Sequence, residues 1–180
     1  MIFTLGTLDI RTKTYGNYEA LEKDLLLCEA GSVFAGQKKG TENAWNMVAV
    51  TDPESGEYFG LGILTATNRE PHILATENHM LFIGADNFVV AFDLLARQVR
   101  SIVPMPSDFV DFFYIAARGM VLMVHKKGVI VKDDEAQDIW RVSPGNLTGY
   151  SLEKNLFVME LANGRTVAYK INNGKEVNLK

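Results

Sequence analysis

Short apolar runs separated by turn residues dominate the chain from Gly31 onward. Gly, Asn, Asp and Pro fall between these runs at intervals of roughly eight to twelve residues, a spacing that is typical of an antiparallel meander. From Pro71 onward no long segment has the periodicity of an amphipathic helix, and DLLARQV at 93–99 is short enough to connect two strands. The pattern therefore predicts a mainly β protein.

One segment, NYEALEKDLLLCEAG at residues 17–31, has helical spacing instead. Asn17 can cap its first turn, and Gly31 supplies a left-handed stop. The apolar residues on one face of this helix are Tyr18, Leu21, Leu25 and Cys28. The segment predicts one N-terminal α-helix, with Cys28 as a small apolar residue on the packed face; a reactive thiol is the alternative.

Three longer segments, 78–103, 117–142 and 153–179, share one order of elements. Each has an apolar strand, a tight turn, a second apolar strand, another turn and a short mixed strand. HILATE, FVDFFYIAA and LTGYSLE supply a preceding strand, which makes four strands in each repeat. Corresponding residues recur at intervals of roughly 36 to 40 positions, as Met80, Met120 and Leu156 do, and as Phe92, Val131 and Tyr169 do.

Four strands per repeat resemble the blades of the β-propeller families. The resemblance covers residues 71–180 and depends on periodicity, because the Trp-Asp and Gly-His pairs of one such family are absent. The middle strands are apolar on both faces, which predicts that they are covered on both sides. Recurrent hairpins in an unrelated all-β protein are the alternative interpretation.

The length of 180 residues predicts a single domain. Residues 1–30 are expected to form N-terminal strands and the helix, 31–70 a hairpin or partial blade, and 71–180 three blade-like repeats. Because propellers have about four to eight blades, strands from the first 70 residues are needed to complete a small ring. Its last strand would then lie against the N-terminal strand. An open or sandwich-like meander is the other possibility.

Composition excludes several classes of function. A net charge of −4 and a pI of 5.4 argue against a nucleic-acid-binding surface. No apolar run approaches the roughly 20 residues of a membrane helix, and the N-terminus lacks the pattern of a signal peptide. The single cysteine excludes an internal disulfide and favours a cytoplasmic location.

No motif of a catalytic or cofactor site is present, so neither a cofactor nor a metal is predicted. GLG at 60–62 does not open a helix and is interpreted as close packing within a strand. The nearest approach to a ligand or metal site is a loop-borne set of four residues, His72, Glu77, His79 and Asp86.

Two further groups are candidates for contact with a partner. An acidic turn could attract a basic partner, and an aromatic cluster could form either core or interface. The acidic residues are Asp133, Asp134, Glu135 and Asp138, and the aromatic residues are Phe112, Phe113 and Tyr114.

These features favour a non-catalytic cytoplasmic binding protein, a β scaffold that presents loops to another protein in the manner of an inhibitor or immunity protein. One alternative is an enzyme or small-ligand binder whose site is assembled from separate loops. Another is a structural subunit, and thus a homo-oligomer, that assembles through the edges of its sheets.

Overall fold

The computed structural model describes residues 2–36 and 43–178. The protein is mainly β, with 58% strand and 7% helix, which confirms the predicted fold class. Strands β1 to β9 are Ile2–Leu5, Leu8–Tyr15, Ser32–Gly36, Ala44–Thr51, Tyr58–Thr65, His72–Ala75, Met80–Ala85, Phe88–Asp93 and Gln98–Pro104. Strands β10 to β17 are Phe109–Ile115, Met120–His125, Gly128–Asp133, Asp138–Val142, Leu147–Glu153, Leu156–Leu161, Thr166–Lys170 and Glu176–Val177. The helix α1 is Tyr18–Leu25, and a 3₁₀ turn covers Ala116–Arg118.

Helix α1 begins where the sequence predicts and ends earlier. The Asn17 side chain accepts a hydrogen bond of 2.8 Å from the Ala20 N–H, which confirms the predicted cap. The helix stops at Leu25. The Leu26 N–H still bonds four residues back, but the N–H groups of Leu27 and Cys28 bond only three residues back and tighten the chain into a turn. Gly31 does have a positive φ of 101°, but it follows that turn. No helix within residues 2–36 and 43–178 is long and apolar enough to cross a membrane.

The first sheet has five strands in the order β1-β2-β4-β5-β3, and only its β3–β5 pair is parallel. It contains the predicted β4–β5 hairpin and the strands expected to complete a fourth blade. Gly60 and Gly62 of β5 lie directly under α1 and Phe34. A Cβ on Gly60 would lie 2.6 Å from Leu25 Cδ2 and 2.7 Å from Cys28 Sγ. The GLG glycines therefore permit close packing, as the sequence predicts.

A polar contact fixes α1 to β2. The Tyr15 hydroxyl donates to Asp24 Oδ2 at 2.6 Å, and Lys13 Nζ donates to the same oxygen at 2.6 Å. Cys28 is buried beside this contact, and burial, with the charge of Asp24 adding to it, raises the pKa of its thiol. A thiol whose pKa is raised is a weak nucleophile, which supports the apolar role predicted for Cys28.

The remaining strands form three consecutive antiparallel sheets of four: β6–β9, β10–β13 and β14–β17, called here the second, third and fourth sheets. They match the three predicted repeats. In each sheet the residue after the third strand donates a backbone hydrogen bond to the residue before the second strand. The pairs are Leu94 to His79 at 3.0 Å, Asp134 to Gly119 at 2.9 Å, and Ile171 to Asn155 at 3.0 Å.

One residue of the predicted repeat is misplaced. Phe92 pairs with Leu81, and Tyr169 pairs with Phe157, each opposite the second residue of its neighbouring strand. The corresponding partner of Val121 is Lys132, so Val131 is one residue out of register. A comparison of apolar residues between the repeats overlooks position 132, because a lysine occupies it. Lys132 is only 7% exposed, and its Nζ bonds to Asp138 Oδ1 at 2.6 Å and to the Ala136 carbonyl at 2.8 Å.

The chain divides into two compact units, residues 1–103 and residues 104–180, called here the N-terminal and C-terminal units. In the N-terminal unit the first and second sheets share a core that includes Ile10, Val48, Leu61, Leu81, Val90 and Phe92. In the C-terminal unit the third and fourth sheets share a core that includes Leu122, Val124, Val131, Phe157, Met159 and Tyr169. Their middle strands are buried on both faces, as predicted: Phe82 beside Leu81, Met123 beside Leu122, and Val158 beside Phe157. A single domain of 180 residues stays a prediction.

The turn between β16 and β17, near the C-terminus, contacts the third sheet of its own unit. Trp140 Nε1 of β13 donates a hydrogen bond of 2.6 Å to the Ile171 carbonyl, and the Trp140 ring lies against Gly174. The dipeptides Asn163-Gly164 and Asn173-Gly174 predict tight turns in which the glycine has a positive φ, and both glycines do have one. Strand β17 pairs with β16 and β1 pairs with β2, each at the edge of its sheet. The pairing of last and first strands, expected for a ring, stays a prediction.

Candidate functional site

The structure divides the four loop-borne ligand candidates between the two ends of β6. His72 begins β6 and pairs with Gly84 of β7. Asp86 lies in the turn between β7 and β8, close after Gly84. Glu77 and His79 lie in the turn after β6, at the other end of the strand. Within the described parts of the chain, no three His, Cys, Asp or Glu side chains are grouped so that they could hold a metal ion.

Asp86 has a structural task in this arrangement. Its carboxylate accepts hydrogen bonds from the Ala66 N–H at 2.5 Å and from the Thr67 hydroxyl at 2.6 Å. These contacts fasten the segment after β5 to the turn between β7 and β8. The residue adopts a positive φ of 44°, a conformation that Asp tolerates better than most residues.

The acidic candidates lie together, but internal contacts occupy most of them. Asp133 Oδ1 accepts from the N–H groups of Glu135 and Gln137 and so organises its own turn. Asp138 lies between Lys132 and Arg141, and the hydrogen bond from Lys132, ahead of the charge of that lysine, holds the pKa of this carboxyl below its usual range. Glu135 is exposed.

The aromatic candidates point in different directions. Phe113 packs edge-on against Tyr150 and Phe157 in the core of the C-terminal unit. Phe112 lies against Phe109, with ring centroids 4.5 Å apart. The Tyr114 hydroxyl lies 3.5 Å from Asp134 Oδ2, so that the aromatic and acidic groups meet at this one contact.

A buried histidine is more constrained than the sequence indicates. His125 ends β11 and is fully buried. Its Nδ1 lies 2.9 Å from Ser107 Oγ and accepts from the Lys127 N–H at 3.3 Å. Its Nε2 is buried and has no hydrogen-bond partner within the described parts of the chain. Burial, followed by the charge of Lys127, lowers the pKa of His125 to about 4. A histidine with so low a pKa is a weak base at neutral pH, so this pair is a poor catalytic dyad.

A cleft opens between the first and second sheets of the N-terminal unit, at the end where β4, β5 and β8 meet their turns. Its volume is about 140 Å³, and we call it the sheet-junction cleft. The lining residues are Leu8, Ala30, Val50, Asp52, Glu57, Phe59, Phe92, Leu94, Leu95 and Arg97. The rings of Phe59 and Phe92 stack with centroids 5.3 Å apart and belong to the buried core, which makes the floor of the cleft apolar.

The mouth of the cleft is charged. Arg97 forms an ion pair with Glu57 across it. The Asp52 carboxylate accepts from the Ser55 hydroxyl at 2.9 Å and from the Glu54 N–H at 3.0 Å, and these bonds, the hydroxyl first, hold the pKa of Asp52 below its usual range. Two carboxylates and one guanidinium therefore leave the mouth with a net negative charge.

Leu95 forms the rim of the cleft and is 71% exposed. It lies in the turn between β8 and β9, where Asp93 Oδ1 accepts from the Ala96 N–H. Its side chain places an apolar rim beside the apolar floor of the cleft. The sequence does contain a signal for it, since Leu94-Leu95 is an apolar pair within a segment already predicted to connect strands.

Comparison with known proteins supports the fold. No protein-family profile matches the chain, and no curated protein matches its sequence. The structure of the dihydro-heme d1 dehydrogenase NirN in complex with DHE is similar over 82% of this chain and 37% of its own, with 11% identity and a TM-score of 0.53. The computationally designed Ika8 protein is 19% identical over 79% of this chain and 46% of its own, with a TM-score of 0.48. The chain thus spans less than half the length of either protein.

NirN is a propeller-like protein, and the likeness to it, together with the four-stranded antiparallel sheets, supports an all-β, propeller-like fold for this chain. At 11% identity the likeness shows the fold alone.

Proposed function

We propose that this protein is a non-catalytic binding module that holds a segment of another protein in the sheet-junction cleft, on a scaffold of β-propeller type. The observation that carries the proposal is the exposed Leu95 at the rim of a cleft whose floor is apolar. The single, buried cysteine supports the cytoplasm as the compartment.

The size of the cleft favours a protein segment over a small metabolite. Ligand pockets usually enclose about 300 to 1,000 Å³, whereas this cleft encloses about 140 Å³. A space of that size accepts one side chain. Protein interfaces concentrate their binding energy in such places, where an anchor residue fills a small desolvated pocket and surrounding contacts exclude water.

The rest of the surface around the cleft suits this role. Leu95 offers apolar area next to the anchor, and the carboxylates of Asp52 and Glu57 favour a partner with basic residues. The enzyme alternative has less support, because Ser107 and the weakly basic His125 form a partly buried pair in the other unit and do not line this cleft.

Selection from a library of displayed random peptides tests the proposal. We expect the wild-type protein to enrich peptides with one apolar residue next to Lys or Arg, and Leu95→Glu to lose them. Leu26→Glu is the matched control, since Leu26 is 81% exposed and does not line the cleft. Equal enrichment by wild type and Leu95→Glu, or the absence of any common sequence, contradicts the proposal.

A further inference from the structure

We infer that the anchor of the partner segment is a phenylalanine side chain with Lys or Arg beside it in the sequence. This inference rests on the proposed function, because it names the residue that the sheet-junction cleft receives. Three properties of the cleft carry it: its volume, the chemistry of its floor and the charge at its mouth.

The volume fits one six-membered ring. An apolar protein cavity of about 150 Å³ holds a benzene molecule, and the cleft encloses about 140 Å³. A leucine side chain leaves part of this space empty and loses contacts with the lining. An indole exceeds the space and forces the packed walls apart, which tightly packed interiors resist.

The floor favours an aromatic anchor without a hydroxyl. Phe59 and Phe92 already stack with a 26° angle between their rings, and a third ring can meet them edge-on or offset, the arrangements that aromatic pairs prefer. Val50, Phe59 and Phe92 are buried, whereas the charged groups lie at the mouth. The side chains that line the cleft away from its mouth are apolar, so the hydroxyl of a tyrosine that enters ring first meets no side-chain acceptor there, which is costly.

The charge at the mouth of the cleft favours particular residues on either side of the anchor in the partner segment. Glu57 shares its charge with Arg97, while Asp52 is stabilised as a carboxylate by Ser55 and the Glu54 N–H. A lysine or arginine next to the anchor meets this net negative charge, and a glutamate is repelled by it. This contribution depends on exposed charges, so salt weakens it.

Titration of capped tripeptides into the full chain tests the inference. The probes are acetyl-Lys-Phe-Lys-amide, its Leu, Tyr and Trp counterparts, and acetyl-Glu-Phe-Glu-amide. Binding is followed through the methyl NMR signals of Val50, Leu94 and Leu95, with peptide up to about 10 mM because a single anchor gives affinities near the millimolar range. We expect Lys-Phe-Lys to bind about tenfold more tightly than each of the others, and its lead over Glu-Phe-Glu to shrink at high salt.

Two variants distinguish loss of binding in the cleft from a general effect of mutation on the fold. Ala30→Leu places a larger side chain in the cleft while the Ala30 N–H keeps its bond to the Tyr58 carbonyl, and we expect it to abolish the shifts. Leu26→Ser, outside the cleft, should bind like wild type. Equal or tighter binding of the Leu, Tyr, Trp or Glu-flanked peptide at the same methyl groups overturns the inference and leaves the proposed function standing. If no peptide moves these signals, or if Ala30→Leu binds undiminished, both are overturned.

Discussion

The first and fourth sheets are both built of paired strands, but different contacts stabilise them. The first sheet is covered by α1 on the face opposite its core, and Gly60 and Gly62 allow the helix to approach β5. The corresponding face of the fourth sheet carries polar residues instead, with Ser151, Glu160 and Thr166 around the small apolar centre at Val158. Its last turn is held by Trp140 of the third sheet. The first sheet therefore depends on packing across a face, and the fourth on a contact at a turn.

The largest expected effect comes from the turn that Trp140 holds. Gly174→Ala places a Cβ at a residue with φ of 64° and 2.7 to 2.9 Å from Trp140 ring atoms, and we expect it to lower the free energy of unfolding by about 3 kcal/mol. Gly164→Ala is the matched control, because it follows the same Asn-Gly pattern with φ of 81° and open space around it. Its expected cost is about 1 kcal/mol. Urea denaturation measures both, and equal costs would contradict a role for Trp140.

Acid should weaken the unit that contains the fourth sheet. The pKa of His125 is about 4 in the folded protein, against about 6.5 in an unfolded chain, so its contribution to stability is complete above pH 6.5 and falls away toward pH 4. Between pH 7.5 and 5 we expect the free energy of unfolding to fall by about 2 kcal/mol from this residue. Hydrogen exchange, followed amide by amide, should show the loss in residues 104–180.

The control for the acid effect is His125→Asn, whose amide oxygen can still accept from Ser107. This variant should be less stable than wild type at pH 7.5, and its stability should change less between pH 7.5 and 5. The carboxyls of Asp24 and Asp138 have lowered pKa values and titrate below this range. An unchanged slope in the variant would rule out His125 as the source.

Crowding the space beneath α1 should cost less, because the neighbouring atoms are the ends of side chains that can move. Gly60→Ala brings a Cβ within 2.6 to 2.8 Å of Leu25, Cys28 and Met47, and we expect a loss of about 1.5 kcal/mol in the free energy of unfolding. Gly16→Ala, at a glycine with nothing within 4 Å of the added atom, is the neutral control. Thermal and urea unfolding compare the two, and a neutral Gly60→Ala would show that α1 does not need close approach.

The smallest effect should come from the helix cap. Asn17→Ala removes the acceptor of the Ala20 N–H and is expected to cost about 1 kcal/mol, while Asn17→Ser keeps an acceptor and should recover most of it. Urea denaturation of the three proteins measures this. Identical stability of wild type and Asn17→Ala would mean that packing alone determines where α1 begins.

Local chemistry was the part of the fold that sequence could predict. Asn17, the glycine pair at 60 and 62 and the two Asn-Gly turns each carry their structural reason within a few residues, and the structure confirms them. The burial of Lys132 was not predicted, because it depends on a carboxylate and a carbonyl across a turn, those of Asp138 and Ala136. The register of a repeat is therefore uncertain wherever a paired charge replaces an apolar residue.

The candidate site was harder to predict, because its parts are distant along the chain. Phe59 comes from the first sheet and Phe92 from the second, and nothing near either residue in sequence indicates that their rings stack. His72 and His79 illustrate the opposite case. They are close in sequence, yet the strand between them holds them apart.

The hydrogen bond that recurs in the second, third and fourth sheets joins main-chain atoms only, from Leu94 to His79, Asp134 to Gly119 and Ile171 to Asn155. Mutation can exchange any of these six side chains without removing the donor or the acceptor, as long as none becomes proline at a donor position. This contact of the blade-like sheets therefore depends on backbone geometry and not on a particular pair of side chains. A contact of this kind can recur in three sheets that share no sequence motif.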